Sequence, residues 1–405
     1  MTAATSIACA ATIGFDEAQA IVRKNCVPLG FEFVPLGKAG RRVLARDVVA
    51  GVDSPRRDCA AMDGYAVHSR DLAQGVIRFR LSGESGAGGP LPVPLPPGMA
   101  VRISTGAPMP PGADRVVMRE HARIDGTFVI LTDRGGKAHV RKRGDDFARG
   151  QTLLTTGTRM DARAMVVTAA ADVEGVTVWR RPRVHVMTNG DELVEPGKAA
   201  MQADTVPDSL SEALTLIARQ WGGKLTGMSR ATDRIDSLRD AAQAALSETD
   251  ILVLAGGASH GHRDLARAAL LPLGLRLAFA GVAMKPGKPL WYGRIGTTHI
   301  LGLPGNPTAA LTTARLFLAP MIAAMSGAGF ASALRWSSHA SSHALDEGGD
   351  RDQFLCGVLE GDAVRTIGRQ QASAQMMLAQ ADILVERRAG VPAGPAGSFL
   401  QCLRF

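Results

Sequence analysis

The chain reads as a multidomain α/β protein. A central α/β domain carries a mostly parallel sheet, accompanied by a β-rich inserted domain, a discontinuous helical domain and a small C-terminal β-domain. Three observations predict this. First, four polar loops in the second half each follow a short apolar run, at 184–187, 251–254, 282–284 and 300–301, which read as buried strands. Second, helical patterns lie between several of these runs, and such alternation predicts parallel strands with helices on both faces. Third, residues 48–147 abandon the helical period for Pro, Gly and short β-type runs, and the period is lost again after about residue 332.

In chain order, residues 1–50 look helical: apolar residues recur at helical spacing over 16–27, and Gly30 follows. The β-rich segment comes next. Its Pro-rich stretch at 90–98 can be neither helix nor central strand, whereas 101–103, 116–118 and 128–131 are strand-like. Helical texture returns at 161–171, so 1–50 with 147–180 is assigned to one discontinuous helical domain from which 51–146 protrudes. The α/β domain takes 181–328. Ser209 and Glu212 make a capping box for a helix bearing Leu210, Leu214, Ile217 and Trp221, which Gly222-Gly223 ends. Asp233 is placed to cap a second helix with Ile235, Leu238, Ala242 and Leu246 on one face, and a third spans 308–325. Residues 329–405 form the C-terminal β-domain, with strands over 348–359, 363–367 and 381–386, closed by 397–405.

Composition narrows the function classes. A length of 405 residues exceeds one ordinary core, and 46% hydrophobic residues with 21% charged describe a soluble globular protein. No apolar stretch reads as long enough to span a bilayer, and the first fifteen residues lack the basic and apolar regions of a signal peptide. Five scattered cysteines without metal-ligand spacing read as reduced thiols of a cytoplasmic protein. His260 and His262 share a loop but have no evident third zinc ligand. The net charge of +8 admits nucleic acid, but only 4% of residues are aromatic and no stacking motif occurs, so a solvated face and an anionic substrate are favoured.

Ligands of open parallel sheets bind beyond the carboxyl ends of the strands. The four loops therefore bring glycines, two carboxylates and two lysines to one crevice. Glycine lets backbone approach a phosphate, carboxylates hold Mg²⁺, and lysines hold an oxyanion, which points to chemistry on a phosphorylated small molecule. Each feature also has a plain structural reading. Asp191 and Glu192 suit a surface pair capping a helix. Gly256 and Gly257 suit an ordinary strand-to-helix turn. Lys285 and Lys288 suit solvated ends of a Pro-Gly turn. Asn306 suits a helix cap, and Asp63 a turn residue before Gly64.

Seven motifs in order resemble one family. They are Asn189-Gly190-Asp191-Glu192-Leu193, Gly256-Gly257-Ala258-Ser259 with Gly261 and Asp264, Lys285-Pro286-Gly287-Lys288-Pro289, Leu303-Pro304-Gly305-Asn306-Pro307, Ala61-Met62-Asp63-Gly64-Tyr65-Ala66-Val67, Thr105-Gly106-Ala107-Pro108 and Arg143-Gly144-Asp145-Asp146. The chain resembles the molybdopterin molybdenumtransferases, a family that includes the C-terminal domain of gephyrin. The resemblance spans nearly the whole chain.

It implies a cytoplasmic, elongated homodimer of four-domain subunits. It also implies a reaction in which adenylylated molybdopterin and molybdate bind, Mg²⁺ assists, AMP leaves and molybdenum enters the dithiolene. One of Asp191 and Glu192, with Asp264, would hold Mg²⁺, and Lys285 and Lys288, with Arg351 and Ser373, would hold molybdate. Gly190, Asp208, Gly256, Gly257, Ser259, Pro304, Gly305 and Asn306 would contact the molybdopterin nucleotide. Asp63, Thr105 and Asp146 would complete the crevice from the partner subunit. Contacts with the molybdopterin adenylyltransferase and with apo-molybdoenzymes would follow; neither nucleic acid nor a membrane is expected as a partner.

The chain departs from the family pattern at Leu210, His260, His262, Ala309 and Ala372, where family members carry amide, apolar, acidic or hydroxyl side chains. Each lost hydrogen bond to a charged ligand costs about 1.5–3 kcal/mol. These departures leave open a second reading, a catalytically weak paralogue acting as a molybdopterin-binding or scaffold protein.

Overall fold

A computed structural model describes residues 12–132, 136–256, 265–368 and 370–405. They fall into two compact units. The larger comprises the N-terminal segment to Glu32, Arg41–Ala45 and Thr177–Phe405; the smaller comprises Phe33–Gly40 and Arg46–Val176.

The larger unit is built on a six-stranded sheet: β1 (Arg183–Asn189), β2 (Lys224–Ala231), β3 (Ile251–Ala255), β4 (Arg276–Ala280), β5 (Trp291–Ile295) and β6 (Thr298–Leu303), in the spatial order β2-β1-β3-β6-β5-β4. The pairs β1–β2, β1–β3 and β3–β6 are parallel, and β5 pairs antiparallel with both β6 and β4. β3 and β6 are buried at every position, as central strands covered on both faces must be. At the edge, β2 alternates exposed and half-buried residues until its last position.

Alternation along the strands divides the core. Val184, Val186, Ile251, Val253, Leu301 and Leu303 face one cluster. It also holds Phe15, Ala18 and Val22 of α1 (Phe15–Asn25), Leu214 and Ala218 of α2 (Ser211–Gln220), and much of the segment 307–325. Met187, Leu252, Leu254 and Ile300 face the other, with α3 (Ile235–Leu246) and α4 (Leu265–Leu270). The segment 307–325 runs as α5 (Pro307–Thr313), a π-helical turn (Ala314–Leu318) and α6 (Ala319–Met325). It is long and apolar enough to cross a membrane, contrary to the sequence expectation, but 94% of its most apolar window is buried, as for a core helix.

Five strands near the C-terminus, Ser337–Ser341, Asp352–Glu360, Ala363–Thr366, Ile383–Arg387 and Phe399–Arg404, close into a ring, since Asp352–Glu360 pairs with both Ala363–Thr366 and Ile383–Arg387. Closure leaves no free edge around Val364, Ile383, Val385, Leu400 and Cys402. The short strand Met284–Lys285 joins this β-domain, parallel to Asp352–Gln353. That corrects the expectation that 282–284 is a strand of the central sheet: two paired residues are too few to cross it.

In the smaller unit, Arg115–Met118, Gly64–Val67, Met99–Ile103, Arg78–Ser85, Phe128–Leu131 and Ala122–Asp125 form a six-stranded sheet in that order. Val48–Val49 pairs with Thr152–Leu154, and Ala50, Phe147 and Ala171 pack together. The helix Ala162–Ala170 is capped by Asp161, which accepts the Ala164 N–H at 2.9 Å. Within 12–50 only Phe15–Asn25 is α-helical, because β-type Phe31, Phe33 and Val34 between Pro28 and Pro35 form a strand instead. α1 belongs to the larger unit, whereas 147–176, which the sequence grouping joins to it, belongs to the smaller.

Two helix starts also differ. Ser209 makes no cap of α2, whose N-cap position is Leu210; the N–H groups of Leu210 and Ser211 at its start are accepted by Asp208. Asp233 does not cap α3; its carboxylate accepts from Asn189, and Ile235 is exposed. The basic run at 180–183 is internal chemistry: Arg180 and Arg183 pair with Asp250 at 3.1 and 3.2 Å, and Arg181 donates to the Gly222 and Gly223 carbonyls that end α2.

One packing contact yields a test. Trp291 of β5 lies opposite Gly302 of β6, and a Cβ on Gly302 would come within 1.9 Å of the indole. Gly302→Ala is expected to destabilise the larger unit by about 3 kcal/mol through overpacking, read as an earlier denaturant midpoint. An unchanged midpoint would mean that the indole swings aside freely.

Candidate functional site

β1, β3 and β6 are neighbours, and the chain leaves β1 for β2 on one side and reaches β3 on the other. The carboxyl ends of β1 and β3 therefore flank a topological switch point. A cavity of about 670 Å³ opens there. It is lined by Asn189, Gly190 and Glu192 after β1, Asp208 before α2, Asp233 before α3, Gly256 after β3, Pro304, Gly305 and Asn306 after β6, and Pro289 and Ser373. The predicted convergence thus holds for Gly190, Glu192, Asp208, Gly256, Pro304, Gly305, Asn306 and Ser373. Gly257, Ser259 and Asp264 lie outside the described residues, as do His260 and His262. Asp191, Lys285, Lys288 and Arg351 are not among the lining residues.

The cavity floor is bare backbone. Gly256 has φ +109°, and a Cβ there would lie 2.5 Å from the Asn189 carbonyl oxygen and 2.9 Å from Asn189 Oδ1. A Cβ on Gly305 would stand 3.3 Å from Gly256 Cα. The ends of β3 and β6 approach this closely because neither carries a side chain. Beside them, Asn189 donates through Nδ2 to Asp233 Oδ1 at 2.9 Å, while its Oδ1 is buried with no hydrogen-bond partner among the described residues. A buried acceptor is ordinarily satisfied by a protein donor, a ligand, a cation or water.

The adjacent acids do different things. Asp191 Oδ1 accepts the Asp233 N–H at 3.0 Å, which fastens the loop after β1 to the loop before α3. Glu192 lines the cavity, its carboxylate lying over Gly190 Cα, with no ion pair among the described residues.

Asp208 is the most heavily bonded acid of the site. Its Oδ1 accepts the N–H groups of Leu210 and Ser211, both at 3.1 Å. Its Oδ2 accepts Thr188 Oγ1–H at 3.0 Å and Ser211 Oγ–H at 2.6 Å, with Arg230 at 3.4 Å. Burial pushes its carboxyl up, but the bonds from Ser211, Thr188 and Leu210 outweigh burial and hold it below the ordinary range. Both oxygens are thus committed internally, fastening the turn that leads into α2, a role that the capping-box reading missed. The clue was Asp208 three residues before Ser211, which itself precedes an apolar helical face.

Asn306 occupies the N-cap position of α5 but makes no side-chain cap bond. The first free N–H groups of α5, on Thr308 and Ala309, donate to the Ala372 carbonyl at 3.0 and 3.3 Å, and Thr308 Oγ1–H donates to Ala374 O. Ala372 thus contributes through its backbone, which places Ser373 on the cavity. Leu210 is buried in the core and Ala309 is buried within α5, so two departures from the family pattern are used in packing. Gln370 bridges the backbone of Cys356 on both sides, at 2.9 and 3.0 Å.

Lys285 and Lys288 are exposed on the turn that delivers Pro289 to the cavity, and neither has an ion pair among the described residues. The pairing of Met284–Lys285 with Asp352–Gln353 brings this turn beside Arg351, whose one carboxylate partner is the exposed Asp350 at 3.3 Å.

The smaller unit gathers its own three motifs. Thr105 donates both its N–H and Oγ1–H to Asp63 Oδ1, at 2.6 and 2.9 Å, which holds Asp63 below the ordinary carboxylate range. Gly106 N–H bonds Ala60 O, Ser54 Oγ–H reaches Asp146 Oδ2 at 3.3 Å, and Lys142 and the Arg143 N–H bind Asp58. No group of three or more His, Cys, Asp or Glu side chains with metal-binding geometry occurs among the described residues.

With this geometry established, comparison with known proteins is informative. Residues 13–171 match the MoeA N-terminal region (domain I and II), and residues 185–324 match the family described as "Probable molybdopterin binding domain". The molybdopterin molybdenumtransferase of Haemophilus influenzae is 32% identical over 74% of this chain and 74% of its own length, and that of a Nostoc species is 35% identical over 73% and 70%. Two solved structures of Pyrococcus horikoshii MoeA, at 28% and 22% identity, superpose with TM-scores of 0.81 and 0.82. They cover 97% and 98% of this chain and 99% and 100% of theirs. The chain belongs to the molybdopterin molybdenumtransferase family.

The Asp208 turn can be tested directly. Asp208→Ala is expected to cost about 2 kcal/mol in denaturant unfolding, through lost hydrogen bonds and orphaned donors. Because the folded carboxyl titrates below its unfolded value, this stabilisation is present above about pH 3.9 and is lost as pH falls toward the depressed folded value. A wild-type to variant difference that stays constant from pH 7 to pH 2.5 would show that the charge of Asp208 is not what stabilises the turn.

Proposed function

We propose that this transferase inserts molybdenum from molybdate into adenylylated molybdopterin with Mg²⁺-dependent release of AMP, and that the cavity at the ends of β1, β3 and β6 is where it does so. The observation that carries the reading is the composition of that cavity. Bare backbone at Gly256 and Gly305 lets phosphate oxygens approach, and among the described residues the Glu192 carboxylate has no ion pair and the buried Asn189 Oδ1 has no donor.

These groups suit Mg²⁺, which takes one or two protein carboxylates and completes its shell with phosphate oxygens and water. Of the adjacent pair, Glu192 is the ligand and Asp191 the fastener, because only Glu192 faces the cavity and Asp191 is bound to the Asp233 N–H. Asp264 is the second carboxylate of the proposal. When bound, the ion supplies neutralisation of charge on the phosphoanhydride as AMP departs. Asn306, Pro304 and Ser373 shape the walls. Asp208 acts by holding the turn at 208–211 rather than by touching the nucleotide.

Lys285, Lys288 and Arg351 form the proposed molybdate site. Two ammonium groups on one turn, without ion pairs among the described residues, and a guanidinium just before the strand that pairs with that turn match a tetrahedral dianion. Asp63, Thr105 and Asp146 are proposed to serve a second copy of the chain in a homodimer; the fixed Asp63–Thr105 geometry supports a binding role.

The deciding measurement is AMP release from adenylylated molybdopterin by the purified protein, with and without molybdate and Mg²⁺. Release that needs both is expected; release indifferent to either would sink the proposal. Glu192→Gln should slow the Mg²⁺-dependent release at least about tenfold, with the melting curve unchanged. Lys285→Ala should raise the molybdate concentration needed for half-maximal release, and an unaltered molybdate response would remove Lys285 from the oxyanion site.

A further inference from the structure

The antiparallel edge of the central sheet carries a row of two arginines and a histidine that belong to none of the motifs above. Arg276 of β4 stands opposite Arg294 of β5, and Arg294 stands opposite His299 of β6, so the three share one face. Like charges directly opposite on a sheet repel. Among the described residues neither arginine has a carboxylate partner, and Arg294 Nε is buried without a hydrogen-bond partner. The nearby Asp250 is occupied by Arg180 and Arg183.

The row opens on a separate cavity of about 590 Å³, lined by both arginines, Tyr292, Asn25 and the apolar Leu273 and Leu277. Tyr292 of this lining is hydrogen-bonded further inside. Tyr292 OH and His299 Nδ1 are hydrogen-bonded at 2.7 Å, and Cys26 Sγ lies 3.9 Å from the same nitrogen. Burial, together with Arg294, holds His299 down at about 4, so this imidazole is neutral at pH 7 and adds no charge of its own.

We infer that Arg276 and Arg294 form a second anion site, for a phosphoryl group, distinct from the cavity at the strand ends. Two guanidinium forks carry charge +2 and match the several acceptor oxygens of a phosphate dianion. A bound dianion removes the cross-strand repulsion and satisfies Arg294 Nε. The apolar wall leaves room for a small organic group beyond the phosphate, so free phosphate and a phosphomonoester are the two sources of the same chemistry.

Calorimetric titration of the full chain with inorganic phosphate, and separately with glycerol 3-phosphate, tests this. Saturable binding of at least one probe is expected. It should persist in Lys285→Ala and weaken by roughly tenfold or more in Arg294→Gln, the loss of one charge-assisted bond. Tighter binding of glycerol 3-phosphate would assign the site to phosphomonoesters, and equal or weaker binding to free phosphate. As a control for folding, Arg276→Gln should melt no lower than wild type in phosphate-free buffer, since it relieves repulsion, and should lose the stabilisation that the probe gives wild type. The proposal fails if neither probe binds saturably, or if binding is lost in Lys285→Ala and kept in Arg294→Gln.

Discussion

The close approach of β3 and β6 at their carboxyl ends is the constraint on which the site depends. These strands are buried at every residue, so their positions are set by helices packed on both faces. Gly256 and Gly305 meet there without side chains, and a Cβ at Gly256 would strike Asn189 at the end of β1. Three strand ends thus converge on a floor of bare backbone, which is where the proposal places the phosphate. Core packing and ligand chemistry are the same requirement at this point.

Around that floor, polar groups divide into those that hold the site and those left for a ligand. Asp208 and Asp191 hold: Asp208 accepts the N–H groups of its own turn and ties it to Thr188 of β1, and Asp191 accepts the Asp233 N–H and so joins the loops after β1 and before α3. Glu192 and Asn189 Oδ1, without an ion pair and a donor respectively among the described residues, are the groups that the proposal gives to the ligand. Adjacent acids in one motif can separate in this way because successive residues in a tight turn point in different directions. Binding strength then rests on few groups, and the positioning of those groups rests on many.

The departures from the family pattern have mixed physical consequences. Leu210 and Ala309 are absorbed by the core, and Ala372 acts through its carbonyl on the first turn of α5. A site can lose a side-chain donor and retain its shape when the backbone of the same residue provides the constraint. This favours an active transferase over a scaffold that merely keeps the fold.

The sequence by itself determined the α/β architecture, because apolar runs at 184–187, 251–254 and 300–301 can be buried on both faces only as central parallel strands. It also determined the convergence of Gly190, Glu192, Gly256, Gly305 and Asn306, because loops after parallel strands share one edge of the sheet. Local patterns did not reveal β2, β4 and β5, whose edge or antiparallel positions leave weaker apolar runs. Nor did they reveal that the Lys285 turn belongs to the C-terminal β-domain: a two-residue strand has no periodicity, and only its pairing with Asp352–Gln353 defines it. Tertiary structure alone decided that Asp208 fastens the turn into α2, that Asp191 fastens while Glu192 faces the cavity, and that Arg276 and Arg294 stand opposite each other. Each of these depends on which backbone N–H or which strand lies across space, and that distance is not written in sequence spacing.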